Sequence, residues 1–204
     1  MEEPVNAPAP RSDKAGQARA LLRKPRVRVG AVIAIAAAAG VIAWAIIDTG
    51  GSSSTSTPPT TVARGDHVGP IGLSAQGLAT LAHTLRQPIY WAGPKAGYTY
   101  ELTRTSDGKV YVRYLPSGVK VGDKRASFLI VATYPYAHAF RALRAISKGK
   151  GVTLPTGGFA LPDPSYTKSV HLGFRGVNYE VEVYDPSPAQ AQSVALSGQV
   201  QPVS

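Results

Sequence analysis

Residues 98–114 read YTYELTRTSDGKVYVRY, and the way this stretch folds back on itself decides the class of the domain. Tyr98, Tyr100 and Leu102 alternate with polar residues, as do Val110, Val112 and Tyr114 on the return. A period of two marks a half-buried strand. The two apolar sets share a face only if Ser106-Asp107-Gly108 forms a three-residue loop, which sets Leu102 against Val112 and Tyr100 against Tyr114. A two-residue Asp107-Gly108 turn would instead bring Arg113 beside Leu102 and mix the faces. The favoured register also sets Glu101 opposite Arg113, on the face expected to be outer.

A second stretch, VHLGFRGVNYEVEVY (170–184), behaves in the same way. With Gly176-Val177 as a two-residue turn, Val170, Leu172 and Phe174 match Val183, Val181 and Tyr179, and His171 lies opposite Glu182. Between the hairpins, ASFLIVATY (126–134) is apolar enough for a central strand, and PIYWA (88–92) suits a short one. Helices are expected over 75–86, capped by Ser74 and carrying Leu78, Leu81 and Leu85 on one side, over 136–148 with a stop at Gly149, and over 188–197 after Pro186. The connection from Gly149 to Tyr166 is long for a loop, and such a segment is functional or hides a short strand. These elements add up to an α+β fold, a mostly antiparallel sheet with two or three helices packed on one face, in a domain spanning 69–204.

Upstream the chain changes character. From Val29 to Ile47 it runs VGAVIAIAAAAGVIAWAII with no charge. As a helix this stretch is about 28 Å long, close to the hydrocarbon thickness of a bilayer, so it is read as one transmembrane helix. Residues 1–28 carry seven Lys and Arg against three Asp and Glu, whereas the first residues beyond the span hold only Asp48. The positive-inside rule then puts the N-terminus in the cytoplasm and the C-terminal domain outside, as a single-pass signal-anchor at the cell membrane. Residues 1–28, with scattered prolines and mixed charge, are expected to be a disordered basic tail. Ala43-Trp44-Ala45 also satisfies the small-x-small rule, so cleavage after Ala45 stays open. Residues 48–68 are rich in Ser, Thr, Gly and Pro and read as a flexible linker.

Composition closes off several chemistries. The 204 residues include no cysteine, which excludes disulfides, thiolate metal sites and cysteine nucleophiles. His67, His83, His138 and His171 are scattered with no metal-ligand spacing, so no metal and no cofactor is expected. Ser74 sits in GLSAQG, one residue off the nucleophile-elbow pattern, and serves more simply as a helix cap. Lys148-Gly149-Lys150-Gly151 follows a helix rather than opening one, which makes it a basic helix stop and not a phosphate loop. Residues 49–204 hold fifteen basic and eight acidic residues. Outside a membrane such a charge meets lipid headgroups and wall polymers, so nucleic acid is not the expected partner.

Two sets of residues remain as site candidates. Tyr90, Trp91, Tyr111 and Tyr136 could stack on a ligand, since flat rings with polar tips orient sugars and peptides. Glu101, Asp163 and Asp185 could serve an envelope hydrolase if two of them converged in a cleft.

YWAGP (90–94), YELTRTSDGKVYVRYLPSG (100–118) and VEVYDPSPAQAQ (181–192) resemble single-pass membrane proteins of unknown function from high-GC Gram-positive bacteria. The resemblance covers roughly 88–195 and implies placement only, because that group brings no site residue with it. The expectation is a membrane-anchored extracytoplasmic domain, a non-catalytic binding or assembly module of the cell envelope. Its partners would be the lipid bilayer through 29–47 and a wall polymer or another membrane protein. The alternatives are an envelope hydrolase acting on a wall polymer and a bitopic partner in a membrane protein complex.

Overall fold

A computed structural model describes residues 67–204, and the expected tail, span and most of the linker lie outside the described residues. Among the described residues no helix is long and apolar enough to cross a membrane. In chain order the elements are β1 (Val68–Leu73), α1 (Ala75–Leu85), β2 (Tyr90–Trp91), β3 (Tyr98–Arg104), β4 (Val110–Pro116), β5 (Ile130–Pro135), α2 (Ala139–Ile146), β6 (Val152–Thr153), β7 (Phe159–Pro162), β8 (Ser169–Gly173), β9 (Tyr179–Tyr184), α3 (Pro188–Leu196) and β10 (Gln201–Pro202). The fold is α+β, with an eight-stranded antiparallel sheet in the order β1-β3-β4-β5-β9-β8-β7-β6 and a separate β2–β10 pair.

Both hairpins take the registers their patterns demand. Tyr100 pairs with Tyr114 and Leu102 with Val112 around a loop whose Gly108 has φ +83, a value that only glycine adopts freely. Leu172 pairs with Val181, Val170 with Val183 and His171 with Glu182. The turn bond, however, runs from the Val177 amide to the Phe174 carbonyl around Arg175-Gly176, not around Gly176-Val177 as expected, and pairing stops at Gly173 and Glu180, short of Phe174 and Tyr179. The sheet order is nearly palindromic: two three-stranded meanders, β3-β4-β5 and β7-β8-β9, meet through their last strands.

Because side chains alternate across a strand, this register sorts the sheet into two faces. One face is apolar, with Tyr100, Leu102, Val110, Val112, Val131, Val181, Val183, Val170 and Leu172 in a single buried cluster with Leu78 and Leu81 of α1 and Ala191, Val194 and Ala195 of α3. Ser74 starts α1 by accepting the Gly77 amide at 3.1 Å, and Ser187 starts α3 by accepting that of Gln190. The other face carries Glu101, Arg113, Tyr134, Ser169, His171, Glu180 and Glu182, all buried.

Helices therefore lie on both faces, not on one as the sequence suggested. α2 packs on the polar face through Leu143 against Phe159 and Leu161. Its backbone lies so close to β8 that a Cβ on Gly173 would sit 2.7 Å from the Phe140 Cα. This helix is shorter than expected, opening after His138, which is itself left-handed at φ 60. The central strand likewise begins at Ile130 rather than Ala126. The long Gly149–Tyr166 connection hides two short strands, β6 and β7, and β1 reaches back to Val68, within the stretch read as linker. Pro70 is tolerated there because β1 is an edge strand with a register shift between Val68 and Ile71.

Candidate functional site

The buried carboxylates of the described residues gather on the polar face with Arg113 and His171, in two places. The first lies on β3–β4. Arg113 Nη1 donates to Glu101 Oε1 at 2.5 Å, the Gly122 amide donates to Glu101 Oε2 at 2.5 Å, and Arg113 Nη2 donates to the Arg125 carbonyl at 2.9 Å. Phe128 lies under the guanidinium, 5.2 Å from ring centre to Cζ. The cross-strand pair is thus the expected one, but the segment 117–129 folds over it and leaves both side chains buried instead of outward.

The second place lies on β7–β8–β9 with a contribution from β5. Alternation in β9 (YEVEVY) turns Glu180 and Glu182 away from Val181 and Val183, onto the polar face. Glu182 accepts from the Tyr134 hydroxyl at 2.6 Å and from the Ser169 hydroxyl at 2.6 Å. The His171 ring, although directly opposite Glu182 in register, makes its bond diagonally, Nδ1 to Glu180 Oε1 at 2.7 Å. Its Nε2 is buried, has no hydrogen-bond partner, and stands 3.6 Å from Asp163 Oδ2. Asp163 Oδ1 is occupied by the Ser165 and Tyr166 amides.

These environments set the proton positions. Burial alone would lower the His171 pKa, but the bond and charge of Glu180, with Glu182 and Asp163 behind it, outweigh burial and raise it above the ordinary 6.5. Burial, reinforced by the Glu182 charge, holds the Tyr134 hydroxyl far above its usual range, so it stays a donor.

A serine, a histidine and carboxyl groups on one surface are the ingredients of nucleophilic catalysis, and here their burial argues against it. Ser169 gives its proton to Glu182 and not to His171, and no member of the cluster is more than 7 % exposed. A nucleophile needs a base within hydrogen-bond reach and an open side from which substrate can approach. Ser169 has a carboxylate in reach at Glu182 but no open side, and the cluster forms a closed polar layer between sheet and cover. Among the described residues no three His, Asp or Glu gather in a way that could hold a metal ion.

The sequence candidates fall at separate places. Tyr90 stacks on Phe174 with centroids 5.0 Å apart, Trp91 sets its edge to Tyr100, and both are buried in the apolar cluster. Tyr111 lies on the opposite face with its edge toward Tyr134, and Tyr136 follows β5, its amide bonded to the Asn178 carbonyl. The structure brings none of the first pair together with the second. Several tyrosines serve the fold itself: Tyr114 Oη accepts the Ala92 amide at 2.7 Å and donates to the Gly93 carbonyl, while Tyr100 Oη accepts the Lys95 amide.

Among the carboxylates, Glu101 on β3 and Asp163 beyond β7 are separated by five strand spacings of about 4.8 Å, or roughly 24 Å. Asp185 is turned to the Ser187 amide ahead of α3. The acids that do converge with Asp163 are Glu180 and Glu182. Their signal was present in the β9 alternation, but the polar face read as solvent-exposed because its covers come from elsewhere in the chain. No family model, no curated protein and no solved structure matches this chain.

Proposed function

We propose that the chain is a membrane-anchored extracytoplasmic module of the cell envelope that binds or assembles with another envelope component and carries out no reaction of its own. The anchor rests on the apolar run 29–47 with its basic leader and polar linker. The non-catalytic part rests on one observation: the acids and the histidine that converge are turned inward and bonded to one another, to hydroxyl groups and to turn amides.

The missing cysteine makes the topology directly testable. Ser12→Cys before the span and Ser53→Cys after it each introduce a single thiol. With a membrane-impermeant maleimide on intact cells, Ser53→Cys is expected to label and Ser12→Cys to label only after lysis. Equal labelling, or the reverse pattern, would remove the extracytoplasmic placement. The non-catalytic reading fails if the purified chain releases fragments from wall polymer and Asp163→Asn abolishes the release.

A further inference from the structure

The outer side of α2 carries a basic surface that nothing in the fold neutralises. Residues 124–162 contain Lys124, Arg125, Arg141, Arg144, Lys148 and Lys150 and no Asp or Glu. Arg141, Arg144, Lys148 and Lys150 are exposed on α2 and the turn after it. Arg175, exposed in the β8–β9 turn, arrives from another part of the chain and places its guanidinium carbon 4.7 Å from the centre of the Phe140 ring. The Arg144 guanidinium stands 5.8 Å from that same ring and 5.8 Å from the ring of Phe159. Two guanidinium groups thus share one phenyl ring.

Among the described residues no carboxylate lies within ion-pair distance of these five side chains. The acids beneath the helix do not serve: Glu180, Glu182 and Asp163 are buried and turned to His171, Ser169, Tyr134 and the 165–166 amides. Like charges held together without counter-charge repel, and against this the fold sets ring contacts for Arg144 and Arg175 but not for Arg141, Lys148 or Lys150.

We infer that this face docks on the anionic phospholipid headgroups of the bilayer that anchors the chain. The inference rests on the anchored reading above and names its partner. A helix lying along a surface, with basic side chains beside the half-buried ring of Phe140, has the composition of an element seated at headgroup level. A plane of phosphates engages all five cations at once, and each basic residue near such a surface adds to the attraction. The linker supplies the proximity. Twenty residues of linker composition separate the apolar run from β1, and a random chain of that length would reach about 25 Å, which would bring the folded part to the headgroups at high effective concentration.

The test uses the full chain with a single thiol, Ala145→Cys, on the exposed side of α2. The thiol carries an environment-sensitive fluorophore, and the chain is reconstituted in nanodiscs of phosphatidylcholine with or without phosphatidylglycerol. We expect a severalfold drop in quenching by an aqueous quencher when phosphatidylglycerol is present. High salt should reverse it, and so should Arg141→Gln, Arg144→Gln, Lys148→Gln, Lys150→Gln and Arg175→Gln combined. Arg175→Gln alone, distant in sequence from the helix, should weaken it partly and guards against misfolding of the combined variant. A label at Ser117→Cys, at the far end of β4, should stay quenchable throughout. Equal quenching with both lipids, or protection that survives the combined variant, overturns the inference. So does protection by soluble polyphosphate in phosphatidylcholine discs without any effect of phosphatidylglycerol, which would give the face to a wall polymer. If the chain washes off phosphatidylcholine discs at alkaline pH, the anchored reading fails by itself. Docking is then read by sedimentation of the same chain with phosphatidylglycerol vesicles, where absence of binding overturns it.

Discussion

The two hairpins set the same kind of pair on the same face of the sheet, Glu101 opposite Arg113 and Glu182 opposite His171, and close over it in different ways. Over the first hairpin the cover is the irregular segment 117–129, tied down by hydrogen bonds to the ion pair itself through the Gly122 amide and the Arg125 carbonyl. Over the second the cover is a helix, held by Leu143 on Phe159 and Leu161 and let in by the missing side chain at Gly173. Arginine is long enough to meet the carboxylate directly across and still reach the loop. Histidine is short, so His171 takes the diagonal glutamate and leaves Glu182 to two hydroxyl groups. A backbone without regular structure has amides and carbonyls to offer a buried charge, whereas a helix has already used its own. The charge-bonded cover and the apolar cover should therefore fail in different ways.

The largest effect is expected where a charge organises the cover. Arg113→Met leaves Glu101 buried without its cation, and breaking one side of a buried pair costs about 3–5 kcal/mol. Thermal unfolding of the full chain, followed by near-ultraviolet circular dichroism of its tyrosines, should show a large drop in midpoint. Glu101→Gln combined with Arg113→Met should recover much of it, because no uncompensated charge remains. Failure of the double variant to recover would show that the loop needs the guanidinium and not merely a neutral pair.

Next comes the helical cover. Gly173→Ala places a methyl group against the backbone of Phe140, and overpacking of this kind costs about 1–3 kcal/mol. The effect should be local. Hydrogen exchange should quicken in 139–147 and leave the segment 117–129 unchanged, and equal loosening of both would mean that the covers act as one unit.

These covers also separate what was legible in the sequence from what was not. Both hairpin registers could be read from alternation, and the first from its turn residues as well, because the information is contained within some fifteen neighbouring residues. Ser74 marked its helix for the same reason. What escaped was the state of the polar face. Glu101, Arg113, Glu180, Glu182 and His171 alternate with apolar residues as solvent-facing side chains do, and they are buried by segments that the strand pattern does not mention. β1 escaped, and β6 and β7 showed only as the short strand that a long loop can hide, because Gly and Pro interrupt VGPIGL and GVTLPTGGFALP and the pairing there is imposed by a neighbouring strand more than by propensity. The aromatic candidates were drawn from composition, which cannot distinguish Tyr90, stacked in the core, from Tyr111 on the opposite face.

A smaller effect, confined to the second hairpin, should appear on titration. The folded-state pKa of His171 is raised above 6.5, so its protonated form stabilises the fold. That contribution is fully present below about 6.5 and is lost as pH rises through the folded value. The unfolding midpoint should therefore fall as pH is raised above that point. Glu180→Gln removes the strongest favourable partner of the imidazolium, and the slope in this window should flatten or reverse. The first hairpin, whose cation is an arginine that does not titrate there, should contribute no such slope. Following the His171 ring protons by NMR separates the two hairpins: an unchanged titration in Glu180→Gln would return the partnership to Glu182, its neighbour in register.

The smallest effect is expected within the loop cover itself, at the fork between the exposed Arg125 and the half-buried Asp123. There Nη2 donates to Oδ2 at 2.6 Å and Nε lies 3.0 Å from Oδ1, and the guanidinium holds the Asp123 carboxyl down at about 2. The bond looks as good as the buried pair beneath it, but it forms in water, where both ions are nearly as well solvated apart as together and side-chain entropy opposes their fixing. The Arg125 group that matters to Glu101 and Arg113 is its carbonyl, which stays in place whatever its side chain does. Asp123→Asn should therefore leave the unfolding midpoint unchanged within error while Arg113→Met lowers it. A comparable loss from Asp123→Asn would mean that the loop is held from its outer edge and that the buried pair is its passenger.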